Sequence, residues 1–219
     1  MQQYALIVAG GIGKRMQSEL PKQFLELKGK PILMHTIEAF FSAGCDIIVV
    51  LPNTQLDVWE SLCSKHNFLV PHHKTIGGET RFQSVKNGLA LVLVQDSLVA
   101  IHDGVRPIIS QHIITTSFAV AKQKGNAISA VKLKDSIRVI NKDSSQTVLR
   151  DDYRLIQTPQ TFRTALLQEA YKQADDIHFT DDASVLEKMG EKINLIEGDY
   201  RNIKITTPED LLFAEQLLT

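Results

Sequence analysis

The sequence has few of the features that mark secreted or membrane-spanning proteins. Among its 219 residues there are two cysteines, Cys45 and Cys63, which stand far apart and without Cys-x-x-Cys spacing. This excludes a disulfide framework and favours a reducing compartment. No apolar run approaches the roughly 20 residues that a membrane-spanning helix needs. The chain opens directly on an apolar strand, so we expect no signal peptide and a cytoplasmic location.

An excess of charge of one sign is also absent. The chain has 24 Lys and Arg against 25 Asp and Glu, a formal net charge of −1. We therefore expect neither a nucleic-acid partner nor attachment to a membrane surface. It is 43% hydrophobic and 22% charged, which is typical of a folded chain with a buried core. The length favours a single domain over residues 1–219.

Short apolar segments alternate with amphipathic ones along most of the chain. This alternation predicts an α/β fold of Rossmann-like type, in which helices cover both faces of a mostly parallel sheet. The predicted strands are 5–9, 46–51, 98–102, 127–131 and 192–196. The predicted helices are 32–43, 56–66, 81–93, 112–122, 165–173, 182–189 and 208–218. The last helix has Thr207 as its N-cap and Pro208 at its first position.

Residues 134–157 interrupt this alternation. Two short strand patterns, 136–140 and 147–149, flank a polar turn at 141–145. Such a hairpin has no evident place in a parallel sheet, and an isolated hairpin is marginal unless it packs on something. We expect a projecting β-arm used for dimerisation with a second copy of the chain. The alternative is an arm folded back on its own domain.

The glycine-rich segment 9–15, Ala-Gly-Gly-Ile-Gly-Lys-Arg, is the strongest functional signal. Its backbone can approach a phosphate closely, and Arg15 and Lys22 supply two cations at the same loop. It lacks the Gly-Lys-Ser/Thr ending of a P-loop, and Met16 stands where a dinucleotide-binding loop has its third glycine. The segment predicts a polyphosphate site of another kind. The alternative is an ordinary turn carrying surface cations.

Two further clusters fall where sites in open α/β sheets are found, beyond the carboxyl ends of strands. The turn Gly77-Gly78 opens a helix, and its backbone amides suit a base or a ribose, although a helix start capped by Thr80 explains it too. Asp103 directly follows the predicted strand 98–102 and is a natural ligand for Mg²⁺. Arg106 could hold a second anion, or it could close the turn as a salt bridge to Asp103.

Three polar residues later in the chain are weaker candidates. Arg150 stands at the base of the predicted arm, where a lone arginine is usually solvated. Thr180 precedes a predicted helix and would also serve as its N-cap. Lys204 lies between Ile203 and Ile205, so in an extended segment it faces away from both and toward the cleft.

Taken in order, these motifs resemble those of the 2-C-methyl-D-erythritol 4-phosphate cytidylyltransferases of non-mevalonate isoprenoid synthesis. The resemblance extends over almost the whole chain and rests on the segments 9–15, 21–23, 77–84, 102–107, 158–160, 180–184 and 202–210. It implies an enzyme that joins CTP and methylerythritol phosphate, with Mg²⁺, to give the CDP-linked diol and pyrophosphate.

The resemblance also implies roles for particular residues. Those expected to contact the nucleotide are Ala9, Gly10, Gly11, Gly13, Arg15, Lys22, Gly78, Glu79, Ser84, Asp103 and Gly104. Those expected to hold the acceptor are Asp103, Arg106, Ser136, Arg150, Thr180 and Lys204, with Arg150 coming from the arm of the partner subunit. Arg15, Lys22, Arg150 and Lys204 would be catalytic, and Asp103 would hold the metal. Gly10, Glu79 and Gly104 depart from the residues common in the family, which leaves the role of the Glu79 side chain open.

Two alternatives share the nucleotide half of this pattern. A ribitol 5-phosphate cytidylyltransferase would differ in the acceptor site, and the segment 180–184 favours the methylerythritol enzyme. A non-catalytic nucleotide-binding module would not need Arg15, Lys22, Asp103 and Lys204 together.

Overall fold

A computed structural model describes residues 1–11, 16 and 20–218. In chain order the strands are β1 (Gln2–Val8), β2 (Glu26–Leu27), β3 (Lys30–Pro31), β4 (Asp46–Leu51), β5 (His73–Ile76), β6 (Ser97–Asp103), β7 (Asn126–Lys132), β8 (Arg138–Asn141), β9 (Ser144–Thr147), β10 (Arg154–Arg163) and β11 (Leu195–Glu197). The α-helices are α1 (Ile32–Ser42), α2 (Leu56–Lys65), α3 (Arg81–Leu89), α4 (Gln111–Lys124), α5 (Thr164–Ala170), α6 (Asp182–Glu187) and α7 (Pro208–Leu217).

A seven-stranded sheet in the order β11-β7-β10-β6-β1-β4-β5 forms the centre of the fold. Its strands run parallel except β10, which is antiparallel to both of its neighbours, β6 and β7. From β1 the chain builds outward first through β4 and β5, and then on the other side through β6. This change of direction leaves a crevice beyond the carboxyl ends of β1 and β6, where open α/β sheets bind ligands.

The two faces of the sheet are buried under different helices, as the alternation predicted. Because successive strand side chains point to opposite faces, Ile7 packs in one apolar cluster and Leu6 in another. The first cluster includes Phe40 of α1 and Trp59 of α2, and the second includes Phe82 of α3. In the described part of the chain, no helix combines the length and the apolarity that a membrane crossing requires.

The five strands and seven helices predicted from the sequence are all present, with ends that differ by up to four residues. Two strands of the main sheet, β5 and β10, were missed. The sequence of β10 is polar where it is most buried, at Gln157, Thr158, Gln160 and Thr161, and it contains Pro159. Pro159 lies where the pairing with β7 is irregular, a position at which a strand tolerates the missing N–H.

The predicted hairpin is present as a separate two-stranded sheet, but its predicted strand bounds were wrong. Asn141 pairs with Ser144, so the turn consists of two residues, and Lys142 takes a φ of 41° there. The polar residues after the turn form β9 because they pair with β8, and the Arg138 guanidinium donates to the Ser145 hydroxyl at 2.8 Å. Residues 154–157, predicted as part of the arm, belong to β10. The use of the arm in dimerisation stays a prediction.

Gly88 of α3 is a position where the helix approaches the sheet too closely for any side chain. A Cβ atom there would lie 2.5 Å from Cδ1 of the buried Leu6 and 3.0 Å from Cγ2 of Val50. We expect Gly88→Ala to lower the free energy of unfolding by about 1–3 kcal/mol despite the higher helix propensity of alanine. Urea unfolding would measure this, with Lys86→Ala on the exposed side of α3 as the control. Equal stability of the two variants would contradict the tight packing.

Candidate active site

Two cavities of about 270 Å³ each lie side by side at the carboxyl ends of β1 and β6. The first cavity is lined by Val8, Ala9, Gly10, Gly11, Lys22, Gln23, Gly78, Glu79, Thr80, Arg81, Ser84, Asp103, Val105 and Lys204. The second cavity is lined by Arg81, Asp103, Arg106, Ile156, Gln157, Thr158, Gln160, Thr180, Asp181 and Lys204. Arg81, Asp103 and Lys204 line both, so one carboxylate and two cations stand on the boundary between the cavities.

The end of β1 and the short 3-10 turn at Lys22–Phe24 form one wall of the first cavity. The fully buried Gln23 amide donates to the Ala9 carbonyl oxygen at 2.6 Å and fixes the path of the chain as it leaves the strand. The Lys22 side chain passes over Gly11 so closely that a Cβ there would lie 3.4 Å from Lys22 Cε. Because the segment after β1 is rich in glycine, the Lys22 side chain has room to lie over its backbone. Gly13 and Arg15, predicted for the same wall, lie outside the described residues.

The turn before α3 forms the opposite wall. The Ser84 hydroxyl accepts a hydrogen bond from the Gly78 N–H at 3.1 Å and donates to the Thr80 carbonyl oxygen at 2.9 Å. Gly78 has no room for a side chain, since a Cβ would lie 2.3 Å from Cβ of Gln83. Thr80 is the N-cap of α3, with its side chain accepting from the Gln83 N–H. The helix-cap interpretation is therefore correct, and Gly78, Glu79 and Ser84 also line the first cavity. Their contact with a nucleotide stays a prediction.

Asp103 forms the centre of the boundary. Its Oδ2 atom lies 3.0 Å from Arg106 Nε and 3.1 Å from Lys204 Nζ. Arg106 in turn donates from Nη1 to the Asn202 carbonyl oxygen at 2.8 Å, and the Ile205 N–H donates to the Val105 carbonyl oxygen. These bonds bring the 202–205 segment against the end of β6. The predicted orientation of Lys204 is confirmed, whereas its ion pair with Asp103 was not predicted.

The charge of Asp103 is set by its neighbours. Burial alone raises the pKa of a carboxyl group, but Lys204, Arg106 and Arg81 together hold the pKa of Asp103 well below its usual range. The adjacent His102 is fully buried, and burial lowers its pKa to about 4, so its imidazole is neutral at pH 7. Its Nε2 atom lies 3.2 Å from the Arg106 carbonyl oxygen and supports the turn that carries Arg106.

Gln160 of β10 organises the far wall of the second cavity. Its amide donates from Nε2 to Asp181 Oδ2 at 2.8 Å, and its Oε1 accepts from the Ala183 N–H at 2.9 Å. Asp181, not Thr180, is the N-cap of α6, since it accepts from the Ser184 N–H. The interpretation of Thr180 as the cap was therefore wrong. Thr180 precedes the cap and lines the cavity instead.

Of the predicted site residues that the structure describes, three line neither cavity. Gly104 packs behind the first wall, where a Cβ would lie 3.0 Å from Cβ of Ala9. Ser136 is exposed and precedes the arm, and the exposed Arg150 donates to the Lys134 carbonyl oxygen at 2.7 Å. The roles of Gly104 and Ser136, and the action of Arg150 in a neighbouring subunit, stay predictions.

The donor set at the boundary suits Mg²⁺ brought in with a phosphorylated substrate. Within the described ranges no cluster of three or more His, Cys, Asp or Glu residues is placed to hold a metal ion. Asp103 is ionised, and its carboxylate would hold the ion. One carboxylate supplemented by substrate phosphates is a common Mg²⁺ site.

The fold and the site together define a nucleotidyltransferase: a mostly parallel sheet in which the glycine-rich segment after β1 faces cations, next to a second cavity lined by cations, with a carboxylate between the two cavities. The family model for 2-C-methyl-D-erythritol 4-phosphate cytidylyltransferase matches residues 3–219. The chain belongs to this family and is a cytidylyltransferase of isoprenoid biosynthesis.

Relatives and solved structures of the same family cover nearly the whole chain. Proteins with the family's name from Bacteroides fragilis and Bacteroides thetaiotaomicron are 52% and 50% identical, over 98% and 100% of both chains respectively. The crystal structure of 4-diphosphocytidyl-2C-methyl-D-erythritol synthase from Anaerococcus prevotii has a TM-score of 0.85 at 31% identity, over 99% of this chain and 96% of that one. The Thermus thermophilus cytidylyltransferase has a TM-score of 0.78 at 30% identity, over 99% and 98%.

The depressed pKa of Asp103 predicts a pH-dependent contribution to stability. A carboxyl group whose pKa is lower when folded stabilises the fold above its unfolded pKa of about 3.9, and this stabilisation is lost as the pH falls from there through the folded value. We expect Asp103→Asn to lower the free energy of unfolding at neutral pH by about 1–3 kcal/mol, because two cations lose their partner. The difference from wild type should shrink below about pH 4.

Urea unfolding at several pH values would measure this difference. The matched control is Asp151→Asn, which removes an exposed carboxylate 4.0 Å from Arg150 Nε. A stability difference for Asp103→Asn that stays constant from pH 7 to pH 3 would contradict the ionic role.

Proposed function

We propose that the first cavity binds CTP and the second binds 2-C-methyl-D-erythritol 4-phosphate, so that the two anions meet at Asp103 and Lys204. The observation that carries this assignment is that the two cavities are adjacent and that Arg81, Asp103 and Lys204 line both of them. In the first cavity, the backbone of the Gly78 turn faces the base and the ribose. The glycine-rich exit of β1, with Lys22, faces the triphosphate.

The reaction at the boundary is an in-line phosphoryl transfer. A phosphate oxygen of the acceptor attacks the α-phosphorus of CTP, and the bond from that phosphorus to the bridging oxygen breaks, so that pyrophosphate leaves with the bond's electron pair. Lys22 and Arg15 stabilise charge on the leaving group, and Lys204 stabilises charge at the transferred phosphorus. The two cavities hold the reacting atoms close, which removes much of the entropic cost of their encounter.

Asp103 would hold Mg²⁺ in this proposal, while its Oδ2 orients Lys204. The metal ion, when bound with CTP, screens the repulsion between the two anionic substrates. Arg106 and Thr180 bind the acceptor in the second cavity.

The remaining acceptor contacts come from a second subunit. Arg150 and Ser136 lie at the base of the exposed arm, away from both cavities of their own subunit. Apolar side chains beside them are exposed, including Leu149 at 66% and Ile140 at 70%. A homodimer formed through the arms, working in the cytoplasm, would cover this apolar surface and bring Arg150 to the partner's second cavity.

Pyrophosphate release tests the substrates and the role of Lys22. We expect release with CTP and methylerythritol phosphate, no release with ribitol 5-phosphate, and loss of activity on chelation with recovery on addition of Mg²⁺. Lys22→Ala should lower kcat on the order of 10²–10³ by analogy with the loss of one transition-state donor. Lys65→Ala removes an exposed lysine far from the site and serves as the control. Turnover of ribitol 5-phosphate alone would reject the proposed acceptor.

Mixing inactive variants tests whether the arm acts between subunits. We expect Arg150→Ala and Lys22→Ala to be almost inactive alone, and an equal mixture, after subunit exchange, to recover about a quarter of wild-type activity. About half of the dimers in the mixture are mixed, and each of these has one site with both side chains intact. Pyrophosphate release before and after exchange measures the recovery. Arg154→Ala, an exposed arginine nearby, should stay active, and an inactive mixture would show that Arg150 does not act across the interface.

A further inference from the structure

An ion pair between Arg81 and Asp182 lies behind the boundary of the two cavities. Arg81 donates from Nη1 to Asp182 Oδ1 at 2.8 Å and from Nη2 to Oδ2 at 2.5 Å. The Asp182 side chain is completely buried, whereas 31% of the Arg81 side chain is exposed and lines both cavities. The Tyr171 hydroxyl donates a third hydrogen bond to Asp182 Oδ1 at 2.6 Å.

Stability alone is a weak reason for this arrangement. Transferring a carboxylate out of water costs several kcal/mol, and a buried ion pair often stabilises a fold no better than apolar residues of similar size. The same burial makes the pair sensitive to geometry, because moving either partner leaves a buried charge unpaired. A bidentate pair therefore holds the two backbone segments that carry it at a fixed separation.

The two segments line different cavities. Arg81 is the first residue of α3 and directly follows the turn that forms a wall of the first cavity. Asp182 is the first residue of α6 and directly follows Thr180 and Asp181, which line the second cavity. A separate, exposed hydrogen bond, from the Thr80 hydroxyl to Asp175 Oδ2 at 2.6 Å, joins the turn before α3 to the segment between α5 and α6, away from Thr180 and Asp181 in the sequence.

We propose that Arg81 and Asp182 are positioning residues that couple the two cavities, so that a nucleotide in the first cavity orders Thr180 and Asp181 for the acceptor. This inference rests on the proposed function. A nucleotide that immobilises the turn before α3 also immobilises the start of α6 through the pair, so the acceptor then binds with less loss of conformational entropy. By linkage, the acceptor must increase the affinity for the nucleotide by the same factor.

Calorimetric binding in the presence of Mg²⁺ tests the coupling directly. The probe is the α,β-methylene analogue of CTP, which cannot release pyrophosphate, titrated with and without methylerythritol phosphate. We expect the acceptor to strengthen analogue binding to the wild-type protein at least about fivefold. Arg81→Met combined with Asp182→Leu removes both charges and leaves none buried alone, so this double variant should fold. It should bind the analogue alone within about threefold of wild type and lose the coupling.

Further variants separate positioning from other roles. Arg81→Lys keeps one charged contact and should retain part of the coupling, which covers the case in which the double variant does not fold. Lys86→Ala on the same helix and Asp175→Asn at the exposed contact should keep the coupling within about twofold.

Each remaining outcome overturns the inference. Loss of analogue binding by more than about tenfold in the double variant would place Arg81 in direct contact with the nucleotide. An unchanged coupling in the variants, or no coupling in the wild type, would show that the pair does not link the cavities. Failure of the analogue or of the acceptor to bind the wild-type protein would instead reject the proposed function.

Discussion

The Asp103 carboxylate is the interaction on which the rest of the site depends. It stands at the carboxyl end of β6, a strand buried along its whole length, and three cations surround it: the nearby Arg106 and the sequence-distant Arg81 and Lys204. Without this negative charge, Arg106 and Lys204 would repel each other at the same point in a poorly solvated cleft. Its presence allows positive charge to accumulate there before any anionic substrate binds. The site is thus organised in advance of the reaction, and organisation of this kind reduces the reorganisation needed in the transition state.

Much of the fold could be predicted from the sequence because the periodicity of hydrophobic residues indicates where most strands and helices lie. Strands such as β4 are continuous apolar runs, and α7 begins with a cap and a proline that have simple physical meanings. The strand β10 escaped prediction because its buried residues are polar. Gln160 is nearly fully buried, yet its amide is satisfied by Asp181 and by the start of α6. Such a partner lies outside the local window from which a strand is recognised.

In the candidate site, too, features within one loop could be predicted from the sequence, whereas contacts between distant residues could not. The glycines and cations of each loop are visible as local motifs, and the loops fall at the carboxyl ends of strands where the fold places sites. The pairing of Lys204 with Asp103 and of Arg81 with Asp182 joins residues about a hundred positions apart. Neither pairing has a local sequence signal, because the paired residues meet only after the strands have assembled into the sheet. Motif resemblance named the residues, and the fold supplied their partners.

The position of the arm has a consequence for how such an enzyme can change over evolutionary time. The arm leaves the sheet at the end of β7 and returns at the start of β10, and these strands are direct neighbours. Neighbouring strands lie about 5 Å apart, so a connection of almost any length can close the gap, and each doubling of its length costs only about 0.6 kcal/mol. Insertions, deletions and exchanges of sequence are therefore tolerated in the arm while the nucleotide-facing half stays intact. The roles proposed for the arm, in subunit assembly and in acceptor choice, could then diverge in this one segment without a new fold.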